Sequence, residues 1–299
     1  MLGAGGHQSS WLVALLIATL YSATPLVLAA LAGVLSERAG VVNIALEGLM
    51  LAGAFFGVWA GQGSPIAGVV AAILAGALLG LLHAVLTQMT RMDHVVSGLG
   101  ITLLAAGSTR FLFQRVFPSS GISIAGVSRD LFLYAAIVLP ILITILLYRT
   151  RFGLRLRAVG EGPESARMAG ISPLPSRIAA VTLSGALGGF AGCYLSMAEA
   201  HQFSPGMSAG KGYIALAAVI FGKWSPVGAT LGALFFGFFD ALQNQLQISG
   251  VQLNWLGVEW SSPFLLHSLP YLMTIIALVS VVGRATPPAA LGVTEESVE

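Results

Sequence analysis

The sequence contains few charged residues, and this shortage bounds what the chain can be. Asp, Glu, Lys and Arg make up 9% of the 299 residues, hydrophobic residues make up 56%, and the mean hydropathy is +0.88. A typical soluble domain has about 25% charged residues, and one soluble core of this length could not hide so much apolar side chain. The composition therefore predicts an integral membrane protein whose solvent is the lipid bilayer. A net charge of +2 argues against nucleic acid as a partner.

Residues and motifs that carry chemistry are also scarce. The single cysteine, Cys193, excludes an internal disulfide and a cysteine metal cluster, and the five histidines lie on separate segments without ligand spacing. Residues 206–212 look superficially like a phosphate-binding loop, but three residues instead of four separate the glycines and no Ser or Thr follows Lys211. The metalloprotease motif HExxH does not occur. We therefore predict no catalytic residue, no metal and no cofactor on this chain.

Long apolar runs take the place of these motifs. A helix needs about 20 apolar residues to cross a hydrocarbon core of about 30 Å. Runs that fit this length occupy residues 11–35, 41–60, 66–89, 95–117, 131–148, 177–198, 226–246 and 264–282. A further run, 212–222, is long enough for only half a membrane, which indicates a re-entrant or broken element. The sequence predicts an all-α polytopic membrane protein with about 8–10 transmembrane helices, one of them short or broken.

The basic residues suggest an orientation for these spans. We expect one domain over residues 1–299 with a membrane region at 11–284. Segment 149–177 is rich in arginine and is expected on the cytoplasmic side. With an outward N-terminus, ten of the 14 basic residues then face the cytoplasm. The tail, 285–299, is expected to be a cytoplasmic, disordered end.

Two runs of small residues predict close helix contacts. One run is Gly68, Ala72, Gly76, Gly80 and Ala84, and the other is Ser184, Gly188, Gly192 and Ser196. A spacing of four places each set on one helix face, where two backbones can approach closely. We interpret both runs as packing surfaces.

Polar residues inside the apolar runs are the candidate functional residues, because a charge in lipid costs several kcal/mol unless it faces a cavity or a partner. Asn43 and Glu47 are four residues apart and would share one helix face. They either line a solute route or form a buried pair that locks two helices. Asp240 and Asn244, with Gln243 and Gln247, form one polar stripe that either lines an outer vestibule or marks the end of the helix.

Three segments together resemble a known family. The segments SERAGVVNIALEGLMLAGAFFG, RFGLRLRAVGEGPESARMAGI and SAGKGYIALAAVIFGKWSPVGATLGALFFGF are similar to those of the membrane permease subunits of ABC importers, in the branch that serves simple sugars and nucleosides. The first and third segments look most like the permeases of nucleoside importers. The resemblance covers residues 22–291. Ala45 departs from it, since a glycine is common at that position, and residues 117–130 show no recognisable pattern.

The resemblance assigns a role to segment 149–177. In such importers a short cytoplasmic helix docks in a groove of the ATPase and transmits its closure to the membrane helices. Pro163 suits the first position of a helix, Glu164 suits its positive end, and small residues permit close contact. The resemblance thus implies an ATPase-coupling site at Gly160, Glu161, Pro163, Glu164, Ala166, Ala169 and Gly170. The alternative is an ordinary basic loop at the lipid surface.

The resemblance also implies partners and a solute route. The partners are a second, related permease, ATPase subunits that bind ATP and Mg on the cytoplasmic side, and a substrate-binding lipoprotein, all at the plasma membrane. The route through the membrane would be lined by Asn43, Glu47, Phe55, Asp240 and Asn244. A nucleoside would need aromatic surfaces for its base, which Phe55 and other aromatic residues could supply.

Other function classes remain open at this point. The chain could belong to an importer of simple sugars, since both solute classes occur in this branch. It could instead be a stand-alone, proton-coupled secondary transporter or channel that uses Glu47 or Asp240 as a proton relay. An intramembrane enzyme has the least support, because the sequence offers no nucleophile and base at a usable spacing.

Overall fold

The computed structural model describes residues 4–117, 126–249, 254–255, 258–259, 272–273, 275 and 285–293. Its helices in chain order are α1 (Ala4–Arg38), α2 (Leu46–Gly61), α3 (Pro65–Gln88), α4 (His94–Val116), α5 (Arg129–Arg149), α6 (Arg151–Glu161), α7 (Pro163–Met168), α8 (Pro173–Cys193), α9 (Lys211–Phe221) and α10 (Pro226–Ser249). A π-helical turn, Tyr194–Glu199, continues α8. A two-residue antiparallel pair follows α10, with Asn254 of β1 (Asn254–Trp255) opposite Glu259 of β2 (Val258–Glu259).

The prediction of an all-α polytopic membrane protein is confirmed. Six helices in the described residues are long and apolar enough to cross a membrane: Trp11–Arg38, Pro65–Gln88, His94–Val116, Arg129–Arg149, Pro173–Glu199 and Pro226–Ile248. Two further apolar helices are shorter, Leu46–Gly61 and Lys211–Phe221. The short run at 212–222 is therefore α9. The predicted span at 264–282 lies outside the part of the chain that the structure describes, apart from three of its residues.

Local sequence explains where many helices begin. Helices α3, α7, α8 and α10 start on a proline, whose fixed φ suits the first turn and whose missing N–H would have no partner there. The Asp93 side chain accepts the N–H groups of Val95 and Val96 and so caps α4. The Thr150 side chain does the same for α6 through the N–H of Gly153.

Helix α8 lies at the centre of the bundle because small residues cover more than one of its faces. The predicted stripe on α3 packs against α8, and Ala72, Gly76 and Gly80 are buried there. A Cβ on Gly76 would overlap the Gly185 carbonyl oxygen, so the two helices touch backbone to backbone. The α8 residues that α3 meets are Val181, Gly185 and Gly189. The stripe predicted on α8 faces other helices: Gly188 contacts Leu49, Gly192 contacts Met50 of α2, and Ser184 bonds to Ala32 of α1.

The predicted span at 41–60 is wrong at its start, because α2 begins only at Leu46. The chain between α1 and α2 is not helical, and other elements satisfy its backbone. The Val42 N–H donates to His94 Nδ1 (3.3 Å), and the Val42 carbonyl oxygen pairs with His83 Nε2 (3.0 Å). The Val41 carbonyl oxygen accepts the Ser36 hydroxyl (2.8 Å). Non-helical backbone can exist within a membrane protein where other groups bond it in this way.

Two expectations about the arginine-rich end also need correction. Segment 149–177 contains a second helix, α6, which is amphipathic: Leu156 and Val159 are buried while Arg151 and Arg155 are exposed. Residues 285–293, expected to be disordered, instead form turns that bond to Gly40 and Gly160.

Candidate functional site

The two short helices begin at the same place inside the bundle, around the carboxylate of Glu47. Oε1 of Glu47 accepts the Gly210 N–H and Oε2 accepts the Gly212 N–H, each at 2.8 Å. These groups belong to the first turn of α9, where N–H groups have no partner within the helix and the helix dipole is positive. We name Glu47, Gly210 and Gly212 the Glu47 clasp. The clasp joins the first turn of α2 to the first turn of α9.

Glycine is required on the α9 side of the clasp. A Cβ on Gly212 would lie 2.9 Å from Glu47 Oε2 and would overlap the backbone of Glu47. Gly210 has a φ of +81°, in the left-handed region that favours glycine. The motif AGKG therefore permits a close approach of two helix ends, which explains its glycines without a phosphate ligand.

Asn43 and Glu47 do not share a helix face, which corrects the prediction from their spacing. Asn43 lies in the non-helical segment before α2 and is fully buried. Its Nδ2 donates to the Ser184 hydroxyl (2.8 Å), which donates to the Ala32 carbonyl oxygen (2.6 Å). Asn43 thus ties this segment to α8 and α1, while Glu47 bonds to α9. Each residue joins different elements in the interior, and the two do not bond to each other.

Asp240 and Asn244 lie on α10 where it extends past the start of α9. The two helices pack antiparallel, from Gly222 against Ala229 to the ion pair between Lys211 Nζ and Asp240 Oδ2 (3.4 Å). Beyond Asp240, Asn244 and Gln247 are exposed on the same face of α10, whereas Gln243 is buried. The polar stripe is therefore half-buried at the ion pair and exposed above it. We name Lys211, Asp240, Asn244 and Gln247 the polar face.

Phe55 is buried in an aromatic cluster and has no exposed surface on which a solute could stack in this structure. It is 1% exposed, and its ring meets those of Phe56, Phe117 and Phe203 edge to face at centroid distances of 5.2, 6.2 and 5.3 Å. Phe203 lies in the loop that leads from the π-helical turn to α9. The cluster therefore anchors this loop. Tyr213, in the first turn of α9, is an exposed aromatic residue.

The predicted coupling residues divide into an inner and an outer group. Gly160 and Ala166 are buried, and a Cβ on Gly160 would overlap the Arg38 carbonyl oxygen. The outer group includes Glu164, Ala169 and Gly170, and the neighbouring Met168 is 84% exposed. Pro163 begins α7, and Glu161 reaches back to Arg38 (3.8 Å). Ala166 therefore supports α7 from beneath.

Several residues of these sites were not predicted from sequence. Gly210 and Gly212 were recognised only as part of an imperfect phosphate loop, although paired glycines before a short apolar helix are a signal of close approach. Ser184 was assigned to a packing stripe. Met168 could have been recognised from the sequence, because a large apolar residue among the charged residues of a short helix indicates an exposed apolar side chain. Among the described residues, no group of three His, Cys, Asp or Glu side chains could hold a metal ion.

Comparison with known proteins adds a family and several relatives. The family model described as the branched-chain amino acid transport system / permease component matches residues 15–282. The nucleoside ABC transporter permease protein NupC of Lactococcus lactis subsp. cremoris is 39% identical, over 90% of this chain and 92% of its own length. The guanosine ABC transporter permease protein NupQ of Bacillus subtilis is 39% identical, over 92% and 94%. The putative glucose ABC transporter permease protein TsgC13 of Haloferax volcanii is 36% identical, over 92% and 93%.

The first two bacteria each have a second permease that matches the chain more distantly. The identities are 23% for a nucleoside permease of Lactococcus lactis and 26% for a guanosine permease of Bacillus subtilis, each over 73% of this chain. No solved structure matches the chain significantly.

Proposed function

The chain belongs to the family described as the branched-chain amino acid transport system / permease component, and from this premise we propose that it forms half of the membrane pathway of an ATP-driven (ABC) importer for nucleosides. It is a multi-pass protein of the plasma membrane. The observation that carries the solute class is the 39% identity, over at least nine-tenths of the chain, to two permeases whose names specify nucleosides and guanosine. The family description names amino acids, so the solute class rests on these relatives.

The pathway is proposed to run along the polar face. Discontinuous helices that begin near the middle of a membrane are characteristic of transporters, because their ends supply unpaired backbone groups and leave a space above them. Helix α9 has 11 residues and spans about 16 Å, so its start lies well inside a bilayer. Above that start, the exposed amide side chains of Asn244 and Gln247 offer hydrogen bonds to a ribose or a base. The Glu47 clasp forms the floor of this space.

A second permease is proposed to supply the opposite wall. The polar face lies on the surface of this chain, and exposed amides facing hydrocarbon would be costly unless they line water or protein. The occurrence of two such permeases in each of two bacteria supports a heterodimer.

An ATPase is proposed to dock on the outer surface of α7. Met168 is an exposed, flexible apolar side chain at the end of a short helix, between Arg167 and Ala169, which suits insertion into a groove. This arrangement requires the arginine-rich end of the bundle to face the cytoplasm, as its basic residues predict. ATP and Mg would then bind the partner, and the solute would arrive on a binding lipoprotein.

An importer of simple sugars is the second candidate, favoured by the 36% identity to a putative glucose permease. A proton-coupled transporter has less support, because Glu47 is engaged by two backbone N–H groups and Asp240 by Lys211.

Competition for uptake distinguishes the two solute classes. The chain would be produced with its partner subunits in cells that lack their own nucleoside and glucose uptake, and entry of labelled guanosine would be measured with excess uridine, adenosine or glucose. We expect inhibition by the nucleosides and none by glucose. Entry of labelled glucose, with no entry of guanosine, would replace the nucleoside assignment by the sugar one.

A further inference from the structure

Residues 285–293, which we name the C-terminal strap, bridge two separate parts of the bundle. The Ala290 N–H donates to the Gly160 carbonyl oxygen at the end of α6 (2.9 Å), and the Gly292 N–H donates to the Gly40 carbonyl oxygen just after α1 (3.0 Å). The Ala289 N–H also reaches Glu161 Oε2 (3.3 Å). Three hydrogen bonds thus fasten the strap to α6 and to the turn that follows α1.

The fit between these segments depends on small residues. Gly40 has a φ of +89°, and a Cβ there would lie 3.0 Å from the Ala290 carbonyl oxygen. Pro288 and Ala290 are buried in the contact, while Thr286, Pro287 and Ala289 are exposed. The strap therefore packs as a fixed part of the structure at this end of the bundle.

The same junction receives side chains from the membrane helices. Arg38, the last residue of α1, forms an ion pair with Glu161 (3.8 Å), and its Nε donates to the Trp224 carbonyl oxygen between α9 and α10 (2.6 Å). Arg177 of α8 donates from Nε to the Ala39 carbonyl oxygen (3.2 Å). Motion of α6 would thus reach α1 directly, and α1 packs along both α9 and α10.

We propose that the C-terminal strap is a positioning element in energy coupling, which holds the α6–α7 segment to the end of α1 so that displacement of α7 moves the membrane helices. The inference rests on the proposed function, because it needs an ATPase docked on α7. Thr150 before α6 and Gly162 before α7 have non-helical backbone and are the points at which the segment could bend instead. The strap resists bending because it bonds to the last turn of α6 and to the end of α1 at once.

Two pairs of variants test the strap in the full transporter. The first pair compares a chain that ends after Arg284 with a control that ends after Val293 and keeps the strap. The second compares Ala290→Pro, which removes the N–H bonded to Gly160, with Ala290→Gly, which keeps it. Each transporter would be reconstituted in liposomes with ATPase, second permease and binding lipoprotein, and three quantities measured: ATPase co-purification, ATP hydrolysis rate and labelled guanosine transported per ATP.

We expect the strapless chain and Ala290→Pro to retain ATPase co-purification and hydrolysis but to transport at least five-fold less guanosine per ATP. Both controls should stay within two-fold of the parent chain. If the shorter chain does not fold, Ala290→Pro still tests the strap, because it removes one hydrogen bond from a chain of full length. Unchanged guanosine per ATP in Ala290→Pro would overturn the inference, as would loss of ATPase co-purification, which would make the strap a docking surface. A parent chain that binds no ATPase would instead refute the proposed function.

Discussion

Glu47 shows how a charged residue is accommodated in an apolar chain. Its carboxylate is desolvated but accepts two backbone N–H groups, and hydrogen bonds to an ionised acceptor are about twice as strong as neutral ones. Removing a buried partner of this kind leaves donors unsatisfied, at about 1–3 kcal/mol for each. The residue therefore stabilises the meeting point of α2 and α9.

Substitutions of Glu47 should follow the number of bonds that survive. Glu47→Gln offers one carbonyl oxygen in place of two acceptors, so we expect a lower melting temperature with partial uptake. Glu47→Leu leaves both N–H groups without an acceptor and should lower stability further and abolish uptake. Melting in detergent and guanosine uptake at matched membrane levels measure this series. A Leu variant equal to the parent in both would mean that the clasp contributes nothing.

A glycine pair gives a sharper test of the close approach. Gly212→Ala places a methyl group against the Glu47 backbone, where neither helix can yield without breaking the clasp, so we expect strong destabilisation. Gly107→Ala is the matched control, because nothing lies within 4 Å of its added Cβ and alanine favours a helix by about 1 kcal/mol. Equal melting temperatures for the two variants would contradict the geometry of the clasp.

For single residues, the sequence identified which polar side chains are buried in the bundle but not which partners they bond to. Asn43 and Glu47 were recognised because polar residues in apolar runs are costly. Their shared helix face was wrong because His83 and His94, distant in sequence, bond to Val42 and so support a non-helical segment. Local periodicity contains no information about such distant partners.

Among the elements, α7 carries the most specific functional proposal. Met168→Asp and Ala169→Arg change exposed positions, so we expect normal melting but loss of ATPase co-purification and uptake. An anchor lost from an interface typically costs about 2 kcal/mol or more, which is about thirty-fold in affinity. Ala166→Trp is the contrasting variant: Ala166 is 3% exposed, and overpacking by about 1–3 kcal/mol should lower melting. Normal ATPase co-purification with both exposed variants would mean that α7 does not bind the ATPase and belongs only to a basic segment at the lipid surface.

The outer half of α10 is the element proposed to face the solute. Asn244→Leu removes a hydrogen-bonding side chain at an exposed position, so we expect reduced guanosine uptake with unchanged melting. Ile248→Ala, one turn further along at a position that is 82% exposed, is the matched control and should leave uptake unchanged. Equal uptake in the two variants would show that the polar stripe merely marks the end of a helix.

The composition of the sequence predicted which helices exist. The residue at which a helix such as α2 begins depended on tertiary contacts. Length and hydropathy predicted α1, α3, α4, α5, α8 and α10, since a helix that crosses lipid must satisfy its own backbone. Helix α6 was missed because its short amphipathic pattern lies within an arginine-rich segment. The strap was missed because a short tail without periodicity gives no sign of the turn at Gly40 and the bond to Gly160 that hold it.

For the whole molecule, the interior site at the start of α9 and the arginine-rich end of the bundle suggest one mechanism. The clasp and the polar face lie at the start of α9, while α6 and the strap meet the end of α1, and α7 packs against α6. Helix α1 packs against α9 and α10 and therefore connects the two regions. We expect ATPase closure on α7 to shift α1 and thereby change access to the polar face.

The central claim, that the chain is one half of an ATP-driven nucleoside pathway, is tested most directly by flux in liposomes. The chain would be reconstituted alone, and also with the second permease, the ATPase and a guanosine-loaded binding lipoprotein, with and without ATP and with an ionophore that collapses proton gradients. The account predicts guanosine entry only for the complete assembly with ATP, unaffected by the ionophore. Guanosine entry through the chain alone, or entry that follows the proton gradient and ignores ATP, would contradict it.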